Sequence, residues 1–287
     1  MDTGTPITAQ PITSLPPGRK RQSPRARRVR FDTDGDGCLL TIVRNATFIS
    51  QDQLVTLGVR FKIKAHPDSV RKRIVRYLEY GLVRVIPPVP PYRGAVYQIT
   101  HAGLEVLESF GIGLGSMSSE TAKLPSTLQA RHFLDLNEVR LSFSADKVLS
   151  RAKWHSDPEI KASNTNPHFT PFAKDYDALL ELEDRDGKKF MIGIEYERTY
   201  KDARRYEEIT ATIDTETKLC CVLYIAASTD MVTRLGDAIR CQKTPLCVTA
   251  SGVLKQQTLD ANVAYLSGNG FQVCTLRQYL TLLKHPL

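Results

Sequence analysis

Residues 67–80 read PDSVRKRIVRYLEY, and how this stretch folds decides how the first half of the chain is built. Val70, Ile74, Val75 and Leu78 recur at spacings of three and four, the spacing that lays one apolar stripe along a helix. Arg71, Lys72, Arg73 and Arg76 fall mostly on the opposite side. Pro67 stands at the first helical position, where a missing N–H costs nothing, and Gly81 follows as the stop. Working outward, 51–57 reads as a shorter helix, with Ser50 as its N-cap, Gln53 as the reciprocal partner and Gly58 as its end. A first helix begins near Leu39. Beyond Gly81, 82–86 and 95–99 read as two strands around the proline-rich tip 87–94. Thr100 then caps a last helix bearing Leu104, Val106, Leu107 and Phe110.

Three helices, a two-stranded hairpin and a further helix give the order of a winged helix-turn-helix, here spanning 37–111. That motif places its third helix in the major groove of duplex DNA. Arg71, Lys72, Arg73 and Arg76 are therefore expected to meet phosphates or base edges, with Arg84 and Arg93 reaching from the wing. The alternative is a small helical domain whose basic face is simply solvated.

The charge distribution favours the first expectation. The net charge is +8. Residues 1–30 hold seven Lys and Arg against one acid, 31–37 hold three acids, 38–111 hold ten bases against five acids, and 112–287 balance. The positive field thus lies in the first third of the chain, where it attracts phosphate backbones. Residues 1–36 have almost no large apolar side chains and read as a disordered basic arm, with GRKRQSPRARRVR (18–30) suited to gripping phosphate or a minor groove. Asp32, Asp34 and Asp36 imitate the start of a calcium loop. The twelfth position, which must carry a glutamate, is Val43, so a polar turn is expected instead.

No apolar run approaches the roughly 20 residues that cross a bilayer, and the N-terminus lacks the apolar core of a signal peptide. Six cysteines occur without a C-x-x-C pair, and Cys220, Cys221, Cys247 and Cys274 lie in apolar runs. A reducing cytoplasm and no membrane partner are expected.

A Gly/Ser-rich linker, 112–123, leads to the second half, 124–287. Helical periodicity runs over 125–150 through Leu128, Phe133, Leu136, Val139, Leu141 and Phe143. DALLELE (177–183) and FMIGIEYE (190–197) read as a hairpin turning at Asp186-Gly187. A charged helix (202–213), an apolar strand (219–227), a helix (231–240), strands at 246–249 and 271–276 and a terminal helix follow. The expectation is a three-layer α/β domain with a mixed sheet.

Along the second hairpin strand Glu195 and Glu197 share one face, and Asp177 at the start of the first strand lies roughly opposite them. Three converging carboxylates are unfavourable without a cation, and an oxygen-rich cluster suits Mg²⁺ or Mn²⁺, which could activate water and clamp a phosphodiester. A solvated acidic strand end is the alternative. His132 and Asn137, five apart on a helix, could touch each other or a substrate, and Trp154 and His155 precede a loop at 161–171.

RIVRYLEYG (73–81) followed by Leu82-Val83, then VYQITHAG (96–103), HFLDLN (132–137), YDA (176–178) and EYERT (195–199) together resemble the replication-relaxation family of plasmid and mobile-element proteins. The second half is also similar to the PD-(D/E)xK nuclease fold. The resemblance implies double-stranded DNA as partner, action in replication, relaxation or mobilisation, and a homodimer or other replication proteins as further partners. It matches Asp177 and Glu195 to the metal-holding acids and Glu138 to the extra acid some such nucleases carry. Glu197 occupies the position of the expected lysine. Lys201 or Arg204 would have to substitute, and Lys201 is the better proton carrier because arginine stays protonated. The implied readings are a DNA-binding protein with a degenerate nuclease-like half, a Mg²⁺-dependent endonuclease or nickase using Asp177, Glu195, Glu197 and Lys201, or a winged-helix transcriptional regulator.

Overall fold

A computed structural model describes residues 30–113, 126–267 and 270–285. Most of the expected arm and of the expected linker lies outside the described residues. Asp32 to Leu287 form one compact unit.

Helices α1 (Cys38–Ala46), α2 (Gln51–Arg60) and α3 (Pro67–Glu79) precede the hairpin of β2 (Val83–Ile86) and β3 (Val96–Ile99), and α4 (His101–Ser109) follows. A two-residue strand, β1 (Ile49–Ser50), absent from the sequence reading, pairs with β3 to complete a three-stranded antiparallel sheet in the order β1-β3-β2. Ser50 and Gln53 form the anticipated reciprocal cap: the Gln53 N–H donates to Ser50 Oγ and the Ser50 N–H donates to Gln53 Oε1, at 3.2 and 3.1 Å. Two expectations are corrected. Gly58 does not end α2, which runs on to Arg60. A Cβ on Gly58 would stand 3.0 Å from Leu39 and 3.1 Å from Val70, so glycine is there to let α1 and α3 approach. Val75, expected in the α3 stripe, is 54% exposed, and Tyr77 is buried in its place beside Val70 and Ile74. Residues 32–36, expected in the arm, are also folded: Thr33–Gly37 make one π-helical turn into α1, and Asp36 is fully buried.

Helix α5 (Thr127–Ala145) belongs to both halves. Ala130 and Leu134 pack with Phe48, Ile86, Val89 and Val96, while Leu136, Val139 and Phe143 face the large sheet. Burying an aliphatic side chain of that size contributes roughly 1.5–3 kcal/mol. Polar contacts fix the register: Asn137 Nδ2 donates to Phe48 O at 2.8 Å, Gln53 Nε2 to Leu134 O at 2.9 Å, and the Tyr92 hydroxyl to Asp135 at 2.7 Å.

The second half is mixed α/β, as expected. Its elements are β4 (Lys153–Ser156), α6 (Asp157–Thr165), β5 (Ala178–Glu183), β6 (Lys189–Glu197), α7 (Ala203–Ile213), β7 (Cys221–Ala226), α8 (Thr229–Ala238), β8 (Leu246–Ala250), α9 (Ser251–Gln257), β9 (Asn262–Ser267), β10 (Gly270–Thr275) and α10 (Leu276–Leu282). The seven strands run in the order β10-β9-β8-β7-β6-β5-β4. Strands β6, β7 and β8 are mutually parallel and the other pairs antiparallel. Residues of α5, α9 and α10 cover one face, and residues of α6, α7 and α8 cover the other. Strands β4 and β9 were not anticipated, and α6 occupies the start of the expected 161–171 loop. Among the described residues no helix is long and apolar enough to cross a membrane.

Candidate functional site

Two charged regions hold the residues singled out in the sequence. The first is the solvent side of α3. Arg71 is half-exposed and paired with Asp68 at 2.8 Å, and Lys72 is exposed. Arg93 is exposed at the hairpin tip, whereas Arg84 is half-buried and donates Nε and Nη2 to Gln98 Oε1 at 3.0 and 2.7 Å. Arg73 and Arg76 behave differently from the expectation of two free basic contacts. Both pair with Asp36, and Arg73 also reaches Asp32 at 2.7 Å. The Tyr77 hydroxyl and the Asp32 N–H donate to the same Asp36 carboxylate at 2.8 and 2.9 Å. Burial and the neighbouring Asp36 push the Tyr77 hydroxyl well above its usual range, so it remains a donor. The acids read as a polar turn therefore neutralise half of the basic set on α3.

The second region lies where β5 begins and β6 ends. Ala178 pairs with Ile194, and one step further Asp177 comes opposite Glu195. Asp177 Oδ1 lies 3.1 Å from His132 Nε2 on α5, and Oδ2 accepts the Tyr196 N–H at 2.7 Å. Glu195 Oε1 lies 2.7 Å from Lys174 Nζ. Glu197 is paired with Lys201, which lies just before α7 rather than on it. Asp157, at the start of α6, pairs with Lys161 at 3.2 Å. Tyr224 of β7 stands beside Glu195, and its buried hydroxyl has no hydrogen-bond partner among the described residues.

The electrostatics follow from burial and these pairs. Burial, with Asp177 adding to it, pushes Glu195 up to about 7 against the pull of Lys174. Burial works to raise Asp177 as well, but His132 and the Tyr196 N–H hold it below the ordinary carboxylate range. Burial opposes charge on His132, yet Asp177, Glu195 and Glu197 outweigh it and raise its pKa. Asp157 is pushed up to about 6, chiefly by burial, with Asp177 and Asp175 contributing.

Other sequence candidates lie elsewhere. Glu138 does not join Asp177 and Glu195; its Oε1 accepts from Gln53 Nε2 at 2.6 Å, toward the first half of the chain. Arg204 is exposed and pairs with Glu208. His132 and Asn137 do not bond each other, since Asn137 is spent on Phe48 O. Trp154 packs edge-on against Phe143, and His155 meets Glu181 at 3.0 Å. Sequence reasoning missed Lys174 and Asp157. Lys174 stands three residues before Asp177, on the side of the motif opposite to where a lysine was sought. Among the described residues no group of three or more His, Cys, Asp or Glu side chains is arranged to hold a metal ion.

No family model, curated protein or solved structure matches the chain.

Proposed function

We propose that the chain binds double-stranded DNA through residues 38–109, folded as a winged helix with α3 as the recognition helix. One observation carries this reading: Arg71 and Lys72 extend from the solvent side of a helix whose other face is buried on Val70, Ile74 and Tyr77. Exposed Arg93 at the hairpin tip adds a contact from the wing. Arg73 and Arg76 act differently from a direct phosphate contact; tied to Asp36, they fix the start of α1 against α3. The setting we infer, from the replication-relaxation resemblance, is the cytoplasmic replication, relaxation or mobilisation of a plasmid or mobile element. The reading is tested by anisotropy of a labelled duplex with the full chain across a salt series. Affinity should fall linearly with the logarithm of salt concentration. Failure to bind at low salt overturns it.

The α/β half we read as nuclease-like in descent and internally neutralised in chemistry. The order α5, then antiparallel β4-β5-β6, then α7 and parallel β7 supports the PD-(D/E)xK comparison. One observation favours a second reading, Mg²⁺-dependent cleavage: Asp177 faces Glu195 across the strand pair, and Lys174 supplies a cation that position 197 lacks. The acids do not fit a metal as arranged: His132, Lys174 and Lys201 each take one oxygen of Asp177, Glu195 and Glu197, the Tyr196 N–H takes the other oxygen of Asp177, and among the described residues no group of three such side chains is arranged to hold an ion. Incubating supercoiled plasmid with Mg²⁺, with EDTA and with Asp177→Ala separates the two. The first reading expects no Mg²⁺-dependent nick. A nick that is lost in EDTA and in the variant establishes the second.

A further inference from the structure

Away from both charged regions, at the junction of α1, α5 and α6, two arginines are buried with no carboxylate in contact among the described residues. Arg44, in the last turn of α1, is 3% exposed, and its Nε and Nη1 meet neutral oxygens, Asn45 Oδ1 and Ile112 O. Arg140 of α5 is 9% exposed, and its buried Nε and Nη1 have no acceptor among the described residues. Its guanidinium lies 5.8 Å from the ring centroid of half-exposed Phe61, which shields one side without accepting a hydrogen bond. Burial lowers the pKa of both arginines, that of Arg140 to about 10, and Glu159, in the first turn of α6, is the carboxylate whose field opposes that shift. Its Oε2 is committed to the Ser156 N–H and hydroxyl, at 2.8 and 2.7 Å, as a helix cap. Two guanidinium charges therefore share the field of one carboxylate, one of whose oxygens is committed to the cap, and Arg140 Nε and Nη1 are left without acceptors among the described residues.

Buried guanidinium groups are normally matched by acceptors, because an uncompensated buried charge is among the costliest arrangements a fold can carry. Arginine also presents planar, charge-assisted donors that suit tetrahedral and planar oxyanions. We propose that Arg140 and Arg44 form a site for a small phosphate-bearing ligand at the α1–α5–α6 junction. Its oxygens take the unpartnered N–H groups of Arg140, and its charge balances the excess that Glu159 leaves. Since α1 belongs to the DNA-binding half and α6 to the sheet half, such a ligand fastens one to the other.

The test uses the full chain and inorganic phosphate as the probe, at constant ionic strength held with chloride, read by titration calorimetry and thermal unfolding. Saturable one-site binding is expected, with a midpoint rise of roughly 5 °C or more at about a hundredfold excess over the dissociation constant. Arg140→Met should weaken binding at least tenfold while the protein without phosphate unfolds no earlier, since an unpartnered buried charge has been removed. Arg44→Gln should weaken it as well and serves where Arg140→Met does not fold. Acetate in place of phosphate distinguishes a carboxylate ligand, and saturable binding of acetate alone overturns the phosphate assignment. No saturable heat with the wild type, full phosphate binding by either variant, or displacement of phosphate by duplex DNA also overturns the proposal.

Discussion

Four basic side chains on α3 and four acidic side chains around the start of β5 meet different fates. On α3, Asp36 takes up two of the bases, Arg73 and Arg76, leaving Arg71 and Lys72 toward solvent, with the exposed Asp68 beside Arg71. Around β5 and β6 each acid has its own base: Asp177 with His132, Glu195 with Lys174, Glu197 with Lys201 and Asp157 with Lys161. A helix that keeps positive charge unspent on its outer side can attract a polyanion, whereas a cluster that has spent its charge internally holds the fold together and offers little to a cation. Charge type alone would have assigned both regions the same kind of role; the pairing separates them.

The comparison is broken most sharply within α3 itself. Replacing Arg73 and Arg76 together by alanine leaves Asp36 buried with hydrogen-bond donors but no counter-ion, and should cost roughly 3–5 kcal/mol in urea unfolding. A cost near zero would mean that Asp36 is not the anchor described here. A smaller loss is expected for Asp177→Ala, which strands His132 and the Tyr196 N–H; about 1–3 kcal/mol by the same measurement.

The acid cluster also fixes how stability changes with pH. Glu195 titrates near 7 against an ordinary 4.5, and Asp157 near 6 against 3.8, so the native state holds protons that the unfolded chain sheds across that window. Stability falls as pH rises through it. His132 acts in the same direction: its raised pKa contributes stability that is complete below 6.5 and lost as pH climbs through the folded value. Asp177, held low, contributes above 3.8 and loses that contribution as pH falls through its folded value. Denaturation should therefore show a more stable protein near pH 5 than near pH 8, and Glu195→Gln should flatten the slope. A profile that rises between those values contradicts the assignment.

The smallest effect on stability is expected from Arg71→Ala with Lys72→Ala. Both side chains are exposed, and such surface changes usually stay within about 0.5 kcal/mol. The contrast with the neighbouring Arg73 and Arg76 pair is what the double substitution sharpens.

Local signals were the legible ones. The Ser50–Gln53 cap, the boundaries of α3 and the alternation that puts Glu195 and Glu197 on one face all depend on neighbours a few residues away. Asp36 was read as a turn residue because its partner Arg76 lies 40 positions along the chain. Tyr77 displaced Val75 from the buried stripe for the same reason, since its hydroxyl had a distant carboxylate to meet. Gly58 looked like a stop because helix-to-helix approach leaves no local trace. In the α/β half the convergence of Asp177 and Glu195 followed from one hairpin, while His132 and Lys174 came to them through the packing of α5 and the loop before β5, which no spacing rule encodes. Glu138 lies apart from them on the same account: α5 turns it toward Gln53.

The central claim is that unspent charge on α3 meets DNA. Its most direct test is the salt dependence of duplex binding by the wild type and by the Arg71→Ala, Lys72→Ala variant, whose unfolding should be nearly unchanged. If each side chain contacts one phosphate, the slope of log affinity against log salt should become shallower by about two units, with weaker binding at every salt concentration. An unchanged slope and affinity in a folded variant would show that α3 does not face nucleic acid.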